Sequence, residues 1–158
     1  MVMDKNQKLV EFLQTCPTIQ ENPLFFNFGN VEDNAHQVTI SSDDVALQKP
    51  FIDGSVQKRY TCVIDSFKSV ACVPLIEGST DENIEDFTEV QNLLDWVNEQ
   101  GDNYNFPDFG TNNVVDSMKT LTAKPVLTGI ESSLNPPIAI YRITIQIDYI
   151  DNSKRLWS

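Results

Sequence analysis

Histidine, cysteine and positive charge are all scarce in this chain of 158 residues, and each shortage excludes something. His36 is the single histidine, and no Ser or Cys motif stands near it in sequence. A lone histidine on an expected strand is a surface or hydrogen-bonded residue far more often than a catalyst. Cys16, Cys62 and Cys72 are odd in number and lack paired close spacing, so neither a disulfide framework nor a zinc site is indicated. Cys62 sits in an apolar alternation and reads as a small core residue. The six glycines are scattered singly, which leaves no phosphate-cradling loop. Asp43-Asp44 could face a cation, and Asp102, Asn103, Asn105 and Asp108 come nearest to a calcium loop. Tyr104, Phe106 and Pro107 interrupt that group, and hard cations need several converging oxygens. Nothing in these residues asks for an enzyme, a metal or a cofactor, although two distant carboxylates could still meet in space. No apolar run approaches the roughly 18 residues of a membrane span, and the charged first residues lack a signal-peptide core. The sequence therefore predicts a protein made in the cytoplasm, without a membrane.

Acids outnumber bases 23 to 11, giving a net charge of −12, which disfavours binding to a phosphate backbone. From Ser69 through Met118 there is no Lys or Arg, while eleven Asp and Glu fall there. Basic residues gather at Lys49, Lys58, Arg59 and Lys68. A solvated helix face accounts for the acidic interval slightly better than an interface does on charge alone. Separated acidic and basic surfaces also suit head-to-tail pairing of identical copies. On that reading Glu82, Glu85 and Glu89 either meet Lys58 and Arg59 of a neighbour or line a channel. Trp96 is a further candidate: it packs on Tyr104 and Phe106 or, if exposed, touches a partner.

What is abundant is aliphatic and aromatic bulk. Leu, Ile, Val and Phe supply 47 residues, enough for a real core in one domain spanning 1–158. Ile138 to Ile150 alternates strictly, Ala139, Tyr141, Ile143, Ile145, Ile147 and Tyr149 forming one face. At about 3.3 Å per residue this strand reaches about 40 Å, the width of the whole domain. Leu9, Val10, Phe12 and Leu13 stripe a first helix that Pro17 should end. Thr18 to Asn34 reads as irregular, with Phe25, Phe26 and Phe28 tucked against a sheet. Extended segments are expected at His36 to Ser41, Val45 to Phe51 and Gln57 to Val73, the last with a bulge or bend past Ser66. Asp53-Gly54-Ser55 makes a turn. Ser79 or Thr80 caps a second helix whose Ile84, Phe87, Val90, Leu94 and Val97 face the core and which Gly101 closes. Strands near Val114 to Thr122 and Val126 to Ile130 follow an aromatic loop fixed by Pro107. The pattern is α+β: a mainly antiparallel sheet with two helices packed against it.

The order of these segments resembles the tail terminator family of tailed bacteriophages and prophages, which includes proteins labelled tail completion or minor capsid proteins. The resemblance rests on the N-terminal amphipathic helix, the turn Phe51-Ile52-Asp53-Gly54-Ser55 and the strand Lys58-Arg59-Tyr60-Thr61-Cys62-Val63-Ile64. It continues through Leu93-Leu94-Asp95-Trp96-Val97-Asn98-Glu99-Gln100, Asn105-Phe106-Pro107, Pro125-Val126-Leu127 and the last strand from Tyr141 to Tyr149. Thr18 to Asp33 matches poorly. The family implies a tail-terminator-like fold, no enzymatic activity, cofactor or metal, and a hexameric ring that caps the tail tube, stops its polymerisation and joins tail to neck. It implies a virion protein at the head-tail junction, assembled in the bacterial cytoplasm. Its partners would be the tube protein and a neck or head completion protein, with DNA passing through the channel unbound. Another connector protein of the same junction, or a small ligand-binding or enzymatic α+β domain, is the alternative.

Overall fold

A computed structural model describes residues 4–20, 22–70, 82–154 and 156; the side chains of 42, 44–49 and 82 also lie outside the description. Cys72 and the expected caps Ser79 and Thr80 fall outside the described residues. The frame is a pair of fourteen-residue antiparallel strands, β3 (Val56–Ser69) and β6 (Ile138–Asp151). They stay in one register from Val56 opposite Asp151 to Ser69 opposite Ile138. Around them lie β1 (Leu24–Phe26), β2 (His36–Pro50), β4 (Asn113–Thr120) and β5 (Val126–Glu131). The sheet order is β1-β2-β3-β6-β4, with β5 also paired to β6. Among the described strands only β1 and β2 run parallel. The helices are α1 (Lys5–Leu13), the four-residue α2 (Pro17–Gln20) and α3 (Glu82–Asp102). The architecture is thus α+β with a mostly antiparallel mixed sheet of six strands.

One face of the sheet is dry because the alternation delivers it so. Tyr60, Cys62 and Ile64 of β3, with Ile143, Ile145, Ile147 and Tyr149 of β6, form one buried cluster with Leu9 and Leu13 of α1 and Val90, Leu93, Leu94 and Val97 of α3. Burying each large aliphatic side chain contributes roughly 1.5–3 kcal/mol. Asp4 caps α1 by accepting from the Gln7 N–H at 2.9 Å. Polar tips complete its docking: Tyr60 donates to Asn6 Oδ1 at 2.8 Å, and Lys5 Nζ stands 5.0 Å above the Tyr149 ring centroid. Phe109 fits between Tyr60 and Tyr149, at ring distances of 5.2 and 5.7 Å. The opposite face carries cross-strand pairs, Arg59 with Asp148 and Arg142 with Asp65.

Several expectations require correction. β3 keeps one register with β6 from Ser66 to Ser69, with no bulge there, and 71–73 of the expected strand lie outside the described residues; the alternation fades because both faces are covered. Phe67 turns to Ala35, Ile138, Phe25 and Ile140 in a second small cluster, while Ser66 and Lys68 are buried on the helix side. The two extended segments before Phe51 are one strand, β2, with register shifts between Ile40 and Ser42, Ser42 and Val45, and Ala46 and Pro50. The irregular N-terminal stretch contains β1, and of its aromatics only Phe25 is tucked in; Phe26 and Phe28 are exposed. α1 stops at Leu13, and Pro17 instead opens α2, where its missing N–H costs nothing. Ile84 is exposed, and Phe87 meets Tyr141 edge-on at 5.7 Å.

Gly101 does not close α3 through a left-handed conformation. Tyr104 takes that role at φ 56°, with Asn105 N–H donating to Gln100 O at 2.9 Å and Tyr104 N–H to Gly101 O at 3.2 Å. That pair of bonds is a Schellman closure. Gly101 is needed for closeness: a Cβ there would lie 2.1 Å from the Met118 carbonyl oxygen of β4. Trp96 likewise does not meet Tyr104 and Phe106, which pair with each other at 6.1 Å. It packs on Phe12 of α1 at 5.2 Å.

Candidate assembly surfaces

Strand pairing gathers polar groups at the end of the sheet beneath the first turns of α3. His36 stands opposite Ser66, and His36 Nδ1 shares a 2.7 Å hydrogen bond with Ser66 Oγ. Two residues further along the same face of β3, Lys68 is buried; its ammonium donates to Asn34 Oδ1 at 2.8 Å and to Glu89 of α3. Burial, then the Lys68 charge, pulls the His36 pKa down to about 4, with Glu89 acting in the opposite sense. His36 Nε2 has no hydrogen-bond partner among the described residues. The pairing has the atoms of a Ser-His dyad, but both side chains are fully closed to solvent, so no substrate reaches them. The arrangement orients a helix on a sheet. Burial also pushes the Cys62 thiol up to about 12, which keeps it an inert core residue.

Beside this cluster the surface changes character. β5 is exposed along almost its whole length, yet Val126, Leu127 and Ile130 are aliphatic, and Leu121 and Leu134 flank it. Leu127, at 52% exposure, and Ile130 form one wall of a cleft of about 190 Å³. Asn83 and Asp86 of α3, Ala139 and Tyr141 of β6, and residues 68–70 at the end of β3 form the rest of the wall. Its volume suits one side chain. The outer edge of β5 pairs with no other strand among the described residues. Exposed aliphatic edge strands in general favour association with other chains.

The other end of the long strands carries a second apolar surface. The turn between β2 and β3 is fastened by Phe51 N–H to Ser55 O at 2.8 Å, and by Asp53 Oδ1 accepting from the Ser55 N–H and hydroxyl. Gly54 has φ 90° and lies against the Lys154 carbonyl, which no Cβ would allow. Ile52 at the apex is 91% exposed, with Phe51, Val114 and Leu156 also at the surface. Phe51, Ile52, Val114 and Ile150 line a shallow depression of about 570 Å³.

The residues singled out from the sequence are dispersed between these ends. Lys58 and Arg59 lie toward the turn, each already engaged within the chain: Lys58 with Asp151 at 2.8 Å, Arg59 with Asp148 at 2.9 Å. Burial would raise the Asp151 pKa, but Lys58 and Ser153 outweigh it and hold it at about 2. Glu89 holds Lys68. Glu85 is exposed, with no ion-pair partner among the described residues, and the Glu82 side chain lies outside them. Trp96 is half-buried. Neither β5 nor the turn apex was picked out from sequence as a surface, because exposed and buried aliphatic strands read alike. The Phe51-Ile52 step beside Asp53-Gly54 was a usable signal: large apolar residues inside a tight turn have little to bury against.

No protein-family model matches the chain, and no curated protein matches it in sequence. No helix among the described residues is long and apolar enough to cross a membrane.

Proposed function

We propose that this chain is a structural, ring-forming protein of the phage tail, a tail terminator that caps the tube and joins it to the neck. The observation that carries the reading is β5: a strand whose aliphatic side chains lie on the surface, beside a backbone edge that pairs with no other strand among the described residues. Such a strand is a liability in a solitary protein and an asset in an assembly. The polar groups at the same end support the reading from the other side, since they are buried and serve packing. The sequence resemblance supplies the identity of the assembly, and the charge suits it. Glu85, Asp95, Glu99 and Asp102 give α3 an exposed acidic face, which repels a phosphate backbone and lets duplex DNA pass without sticking.

Native mass spectrometry of the purified chain over a concentration series tests the reading, with electron microscopy of the largest species. A closed ring of six copies is the expected result. A monomer at every concentration, alone and with tail tubes, overturns it.

A further inference from the structure

The two apolar surfaces differ in shape, stand at opposite ends of the same strands and match in size. Ile52 protrudes from the turn apex at 91% exposure beside a shallow depression, whereas Leu127 and Ile130, each about half exposed, border a cleft. Fourteen residues of β3 separate the ends, a span of about 45 Å at 3.3 Å per residue. Phe51, Ile52, Val114 and Leu156 at one end, and Leu121, Val126, Leu127, Ile130 and Leu134 at the other, each leave on the order of 450 Å² of largely apolar surface in water. A standard interface takes about 800 Å² from each partner, a little over half of it apolar. Each patch therefore offers the apolar share of one side of a stable contact. A like-with-like contact would join two copies and stop there, whereas a ring needs one surface to meet the other.

We infer that copies of this chain join head to tail, the Phe51–Ser55 turn of one seated against β5 and the α3 cleft of the next. The inference deepens the ring reading and rests on it for closure: unlike surfaces repeated by a constant rotation produce a ring or an open filament. The rims fit the same arrangement. Arg59 near the turn remains partly exposed beside its Asp148 partner, and Glu85 is exposed on α3 next in sequence to Asp86 of the cleft. Exposed charges of this kind add orientation more than affinity.

Two single variants and their mixture test the contact. Ile52→Asp blocks the turn and leaves β5 intact; Leu127→Asp does the reverse. Both positions are exposed, and unchanged thermal unfolding of each variant checks that the fold is kept. Each variant alone is expected to sediment as a monomer where the wild type assembles. Mixed in equal amounts they are expected to form dimers and nothing larger, since one intact turn meets one intact β5. The inference is overturned if either variant alone assembles like the wild type, or if the mixture remains monomeric. If the mixture gives dimers while the wild type grows into open filaments, the head-to-tail contact stands and the ring reading fails.

Discussion

Lys68 is 1% exposed on its side chain and is held by Glu89, so a carboxylate at the surface of α3 neutralises a charge inside the sheet-helix interface. Removing the acid alone strands an ammonium away from water. Glu89→Ala is expected to lower stability by about 3 kcal/mol in a denaturant titration. Lys68→Met, which removes the charge and keeps the stem's packing, is expected to cost less than half as much. Equal losses would mean that packing, and not the ion pair, dominates.

Trp96 couples α3 to α1 through Phe12. Because the indole is half-buried, Trp96→Ala is expected to cost about 2 kcal/mol, less than full burial would give. The ring contact itself should appear as a coupling of about 1 kcal/mol between Trp96→Ala and Phe12→Ala. A coupling near zero would place the contribution of Trp96 elsewhere.

The end of α3 supplies two substitutions of opposite sign. Gly101→Ala drives a methyl into the Met118 carbonyl and is expected to destabilise by about 3 kcal/mol. Tyr104→Gly relieves a left-handed tyrosine and is expected to stabilise by about 0.5–1 kcal/mol, part of the gain being offset by the lost Phe106 contact. Thermal unfolding of both variants checks the signs.

His36 gives the acid limb of the stability profile. Its folded pKa, about 4, lies below its ordinary value near 6.5, so the unfolded chain takes up the proton first. The neutral imidazole contributes fully above pH 6.5, and stability falls as the pH drops from there toward 4. The total loss is about 3 kcal/mol. His36→Asn, which can still bond Ser66, should flatten the profile between pH 6.5 and 4.5. An unchanged slope would assign the limb to carboxylates.

Strong periodicity was legible in the sequence, and long-range pairing was not. β6 and the Val90-Leu94-Val97 stripe were read correctly, since alternation and helical spacing are local properties. β1 was missed, three residues being too few to show a period. The buried Lys68 was read as part of a basic surface, because its partners Asn34 and Glu89 arrive from 34 residues before and 21 after. β5 shows a different limit. Val126-Leu127-Thr128-Gly129-Ile130 has the composition of a core strand, and hydropathy does not distinguish a surface covered by the chain itself from one left for another molecule.

The length of tail tubes assembled with and without this chain tests the central claim most directly. Purified tube protein polymerised alone should grow without a defined end. With the chain present, growth should stop, and electron microscopy should find one ring of six copies closing the tube end. Tubes of unchanged length with bare ends, at chain concentrations that saturate any binding, would contradict the account.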